Sequence, residues 1–211
     1  MKNIYYSFSL FLAFMILTIA FFQLELIAAR IFSINIEYYK QFLYGVSAVL
    51  STLLTVSFIL KKNIIQIKTR LKVSLKFARL MIFSGLIFLV ICHALFSGTG
   101  SRDNEIVGNT LINYMLPFVI VVPVCQELIF RNGIQELLSR AINTHFAISV
   151  TSVLFAVASA LPDFQFTASG FIQSYFVSTI LGYGYKYSGS ILITITISSL
   201  YYLFVLITHY V

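Results

Sequence analysis

Three ionisable residues lie inside apolar stretches of this chain: Glu25, Glu127 and Arg131. A charge in hydrocarbon is costly, so such groups are retained for function or held by a partner. Glu127 and Arg131 are four residues apart, which on a helix puts the carboxylate and the guanidinium on one face. The spacing suits a mutually neutralising pair that fixes its helix in a bundle. It also suits a polar chamber near the end of that helix, with Glu127 and Arg131 as candidate catalytic groups. Glu25 has no local partner, and a residue from another helix would have to satisfy it. Thr194, Ser198 and Tyr202 recur at i, i+4 and i+8 and line one helical face, while Phe155 and Ser159 share another. Hydroxyls at such spacing read first as hydrogen-bonding contacts for helix packing in lipid, and second as a pocket for a lipid headgroup, an acyl chain or a peptide.

Other schemes fit less well. Cys125 beside Glu127 would need a nearby base to become a nucleophile, and His93 lies on a different apolar segment. His93, His145 and His209 show no metal-ligand spacing, and Gly98 and Gly100 lack the context of a phosphate-binding loop. No metal or cofactor is expected. Cys92 and Cys125 each sit in an apolar run and read as free, buried thiols.

The elements that must position these groups follow from composition. Of 211 residues, 59% are hydrophobic and only 10% charged, against about 25% charged in ordinary soluble domains. Such a chain is expected to be an integral membrane protein; disorder and a disulfide-stapled secreted fold are excluded. Seven apolar segments are predicted as helices: Ile4–Ile34, Phe42–Leu60, Phe77–Phe96, Thr110–Leu138, Phe146–Leu161, Phe166–Gly182 and Ser190–Thr208. The fold class is therefore all-α, a polytopic membrane helical bundle of about seven transmembrane helices. Residues 1–211 form one membrane domain, with three spans in 1–97. Ser97–Glu105 is the clearest break, a polar loop containing Gly98 and Gly100.

The net charge of +7 comes from 14 basic and 7 acidic residues, and seven of the basic ones fall between Lys61 and Arg79. A basic stretch between apolar runs marks a cytoplasmic loop beside anionic lipid rather than a nucleic-acid surface. With the N-terminus inside, eleven basic residues, counting Arg131, Arg140 and Lys186, lie on the cytoplasmic side, and Arg30, Lys40 and Arg102 lie outside. This predicts a multi-pass protein of the cell membrane with its N-terminus cytoplasmic. The first segment is longer than a signal-peptide core and contains Gln23 and Glu25, so it reads as a retained span. Tyr183, Tyr185 and Tyr187 read first as an interfacial aromatic belt, and second as a sugar- or lipid-binding aromatic patch.

The stretch Cys125-Gln126-Glu127-Leu128-Ile129-Phe130-Arg131-Asn132-Gly133 resembles the first motif of the CPBP family. These are the membrane CAAX-protease and bacteriocin-processing proteins, also called Abi, which include lysostaphin-resistance-protein-A-like members. That motif reads E-E-x-x-x-R with a glycine soon after; here Gln126, Glu127 and Arg131 hold its three positions. The family's F-x-x-x-H on the next helix corresponds to Phe155–Ser159, with Ser159 in the histidine position. Its final histidine and asparagine, four apart after a small-residue turn, correspond to Ser198 and Tyr202 after Ser188-Gly189-Ser190. The resemblance covers about residues 108 to 208, and the first three segments match only in being spans.

In proteolytic relatives the first glutamate is thought to activate water, supported by the histidines and the asparagine. A general base must accept a proton, which Gln126 cannot do, and Ser159 and Ser198 do not replace histidine. Tyr202 stands where an asparagine would donate to an oxyanion. The resemblance thus implies a degenerate member lacking most catalytic residues. It would be a scaffold or accessory in bacterial cell-envelope processes, with lipoprotein maturation by N-acylation as the specific instance. Its partners would be membrane lipid and another membrane or envelope protein, not nucleic acid. The alternative is a membrane enzyme, an intramembrane endopeptidase or acyl-transfer enzyme, using Glu127 and a Ser/Tyr-lined chamber.

Overall fold

Each predicted apolar segment contains helix in the computed structural model, which describes residues 2–31, 43, 46–55, 57, 75–96, 116–160 and 167–210. The helices are α1 (Lys2–Ile31), α2 (Val46–Thr55), α3 (Leu75–Phe96), α4 (residues 116–139), α5 (Thr144–Ser159), α6 (Ala168–Ser188) and α7 (Ile191–Tyr210). No strand occurs among the described residues. The loop Ser97–Glu105 and most of the basic stretch lie outside them.

Helix ends follow local chemistry. The Asn143 side chain caps α5 by accepting the His145 amide at 2.9 Å, and Thr167 caps α6 by accepting the Gly170 amide at 3.2 Å. Gly189 ends α6 in the left-handed region at φ 63°, its amide donating to the Tyr185 carbonyl at 2.8 Å. Helix α6 therefore runs to Ser188, past the expected end at Gly182, and carries Tyr183, Tyr185 and Tyr187 within it. Helix α4 is irregular: π-helical turns at Leu116–Val121 and Leu128–Gln135 bracket the α-helical Val122–Glu127. Pro123 has no amide hydrogen, and its ring crowds the carbonyl four residues back. The preceding turn widens to accommodate it.

Two apolar clusters organise the bundle. The first joins α1, α4 and α5: Phe130 packs edge-on against Phe14 at 6.0 Å and Phe155 at 5.2 Å between ring centres. Helices α1 and α4 run antiparallel, since Phe22 clusters with Val122, Phe14 meets Phe130, and Leu10 lies against Gly133. The second cluster joins α3, α6 and α7 through Leu89, Leu181 and Ile197. Helices α3 and α7 approach closely at Gly85, where a Cβ would sit 3.0 Å from Ile197 Cδ1. The outward faces carry large apolar side chains, Ile16, Phe83, Phe146 and Leu192 among them.

Among the described residues, one helical stretch, Lys2–Ala28, is long and apolar enough to cross a membrane by those criteria alone. Seven helical segments are present where seven spans are expected, and among the described residues α1 alone qualifies as a span by length and apolarity. The polar residues that α4 and α6 turn towards each other lower the hydropathy of both, and α5 is only 16 residues long.

Candidate functional site

Helix α4 separates its faces by residue type. Ile129, Phe130, Ile134 and Leu137 enter the first apolar cluster, while Gln126, Glu127, Arg131 and Gln135 form a polar face between the two clusters. All four are buried, Glu127 and Arg131 at 0% exposure.

The ion pair expected from spacing is present, with Arg131 Nε donating to Glu127 Oε2 at 3.3 Å. Arg131 also reaches across to α6, where Nη2 donates to Ser178 Oγ at 2.8 Å. Its Nη1 donates to Gln135 Oε1 at 3.4 Å, and Gln135 Nε2 in turn donates to the Gly182 carbonyl at 3.0 Å. The Phe155 ring lies 5.7 Å from the guanidinium carbon and supplies an aromatic face for the cation. The guanidinium is thereby surrounded by a carboxylate, two polar oxygens and a ring, which offsets much of the cost of burying it. Because Arg131 is buried in this pair, it does not belong among the loop cations that report orientation.

The second set of motif positions also converges. Tyr202 Oη on α7 donates to Gln126 Oε1 at 3.0 Å. Thr194 lies alongside Glu127, and Ser198 is buried one turn further along the same face of α7. The Thr194 hydroxyl donates to the Ile191 carbonyl at 2.9 Å, and Glu127 Oε1 is buried without a hydrogen-bond partner. Ser159 is turned to its own helix, donating to the Phe155 carbonyl at 2.9 Å. It supplies no group to the Glu127 carboxylate in this arrangement.

Residues 108–204, just under half of the chain, match the family model described as type II CAAX prenyl endopeptidase Rce1-like. The match falls within the stretch that carries the resemblance to the CPBP family. No curated protein and no solved structure matches the chain. Within the matched residues, Gln126, Glu127, Arg131, Phe155, Ser198 and Tyr202 lie on the facing sides of α4, α5 and α7.

Sequence reasoning did not single out Gln135, Ser178 and Gly182, which complete the Arg131 network. Gln135 was detectable as the next i+4 member after Glu127 and Arg131. Ser178 and Gly182 carry the matching spacing on α6, but nothing local ties them to α4. Glu25, left without a partner by spacing, accepts a hydrogen bond from Ser47 of α2 at 2.7 Å. Cys125 is a buried free thiol near Thr52. The side chains of Cys92 and His93 lie outside the described set, as does that of His209. Among the described residues no group of three or more His, Cys, Asp or Glu could hold a metal ion.

Proposed function

We propose that this protein is a multi-pass membrane member of the CPBP family that acts by binding rather than by proteolysis. It would serve as a scaffold or accessory for another membrane or envelope protein in a bacterial cell envelope, lipoprotein N-acylation being the specific process. The observation that carries this reading is the Tyr202–Gln126 hydrogen bond. It joins, as a neutral phenol–amide pair, the two positions where relatives are expected to hold a water-activating carboxylate and an oxyanion donor. A carboxamide accepts no proton from water at neutral pH, so the pair cannot generate hydroxide.

The apolar outer faces of α1, α3, α5 and α7 support residence in lipid. The cytoplasmic placement of the N-terminus draws support from the antiparallel α1–α4 packing, which brings Lys2 towards the end of the bundle that carries Arg140 and Lys186.

The test is a deletion strain compared with its parent by mass spectrometry of membrane-protein and lipoprotein N-termini. Loss of N-acylated lipoprotein termini with unchanged cleavage sites is expected. An unchanged profile refutes the lipoprotein assignment. Disappearance of a set of cleaved termini refutes the non-proteolytic reading and favours the alternative enzyme, which draws on one observation, the buried and unpartnered Glu127 Oε1. In that case Glu127→Gln abolishes cleavage when activity is expressed per amount of folded, membrane-extracted protein.

A further inference from the structure

The end of the bundle where α5 begins and α6 finishes carries a preassembled cluster away from the buried motif. Lys186 Nζ lies 2.9 Å from His145 Nε2, and His145 Nδ1 lies 2.9 Å from Tyr183 Oη. The ammonium also sits over two aromatic rings, 6.0 Å from the centre of Tyr183 and 5.5 Å from that of Tyr187. Those rings stack on each other at 6.1 Å with 19° between their planes. The side chains are accessible, Tyr187 at 60% exposure.

The hydrogen-bond directions in this cluster are fixed by chemistry. An ammonium only donates, so Lys186 donates to Nε2 of a neutral imidazole. The ring hydrogen then resides on Nδ1 and is donated to Tyr183 Oη. Tyr183 has its own hydroxyl hydrogen left to give, and Lys186 has two further N–H bonds. The cluster therefore has three free donor hydrogens, on a cation with no carboxylate ion-paired to it among the described residues; the Glu136 carboxylate at this end already holds Arg140 at 3.1 Å. A purely structural aromatic belt does not need the imidazole bridge or the free donors around it.

We infer that Lys186, His145 and Tyr183, on the platform of Tyr187, form a binding site for a phosphate group. Its oxygens accept the Tyr183 hydroxyl and the free Lys186 N–H bonds. The ligand is the phosphate of an anionic phospholipid or free inorganic phosphate, which share this chemistry.

The test uses the full chain in a neutral detergent with native mass spectrometry of bound adducts. The probes are short-chain phosphatidylglycerol, matched phosphatidylcholine, and inorganic phosphate as competitor. Preference for phosphatidylglycerol is expected. Tyr183→Phe, which leaves the charge unchanged, and Lys186→Gln should each weaken it about tenfold or more, as expected for hydrogen bonds to a charged group. Arg140→Gln serves as the control for surface charge alone, at about fivefold. Full binding by Tyr183→Phe, with a Lys186→Gln loss no greater than the control, overturns the site. With the site upheld, displacement of the lipid by equimolar inorganic phosphate assigns the ligand as free phosphate, and failure to displace assigns it as lipid. All three variants change accessible side chains, and their melting temperatures show whether they are folded.

Discussion

Losing one member of the buried Glu127–Arg131 pair should turn the other into a liability, so the losses of the two single variants should not add. Both side chains are fully buried, and removal of one partner from a buried pair typically costs about 3–5 kcal/mol because the other charge is left uncompensated. Arg131→Met leaves the buried Glu127 carboxylate without its counter-charge. Glu127→Gln leaves the guanidinium with Ser178, Gln135 and the Phe155 ring but no counter-charge. At about 2–4 °C per kcal/mol for a chain of this size, each single variant should melt about 6–20 °C below the parent. Melting is read as loss of the monodisperse size-exclusion peak after heating in detergent. The double variant Glu127→Gln/Arg131→Met removes both charges and should fall short of the summed single losses by about 2–3 kcal/mol. Additivity of the two losses to within about 0.5 kcal/mol would refute the view that the two charges exist for each other.

Gly182→Ala would place a Cβ 2.8 Å from Ile148 Cγ2 and 3.1 Å from Gln135 Oε1; overpacking of about 1–3 kcal/mol should lower the melting temperature in the same assay. Tyr202→Phe should cost about 1–3 kcal/mol by leaving the buried Gln126 oxygen without its donor. Adding Gln126→Leu, which removes the stranded acceptor, should recover part of that loss. Asn143→Ala should cost about 0.5–2 kcal/mol through the lost cap of α5, seen as faster amide exchange at His145 and in the following turn.

The sequence revealed what depends on spacing along one helix. The Glu127–Arg131 pair is an i, i+4 relation, and the face of Thr194, Ser198 and Tyr202 is another; both are present. The seven helical segments were equally legible, because apolar runs bounded by polar or glycine-containing stretches leave little choice. Contacts between helices were not. Tyr202 is 76 residues from Gln126 in the chain, and Ser178 is 47 from Arg131. Those meetings depend on how α4, α6 and α7 slide against one another, and no local pattern encodes that register. The end of α6 was placed too early because three tyrosines were read as an interface. The left-handed Gly189 is what stops the helix, nearly two turns further on.

The antiparallel seating of α1 on α4 has a consequence for the order in which the protein is made. Phe11 and Phe14 wait for Phe130, and the intervening chain takes about 6–24 s to synthesise at about 5–20 residues per second. With the membrane placement proposed above, α1 persists over that interval with no packing partner from the later helices. It is also the one described helix with the length and apolarity to do so. Its embedded carboxylate, Glu25, is relieved early, because Ser47 follows only 22 residues later. The first helix is thus equipped as a self-sufficient early insert, and the family core folds onto it afterwards.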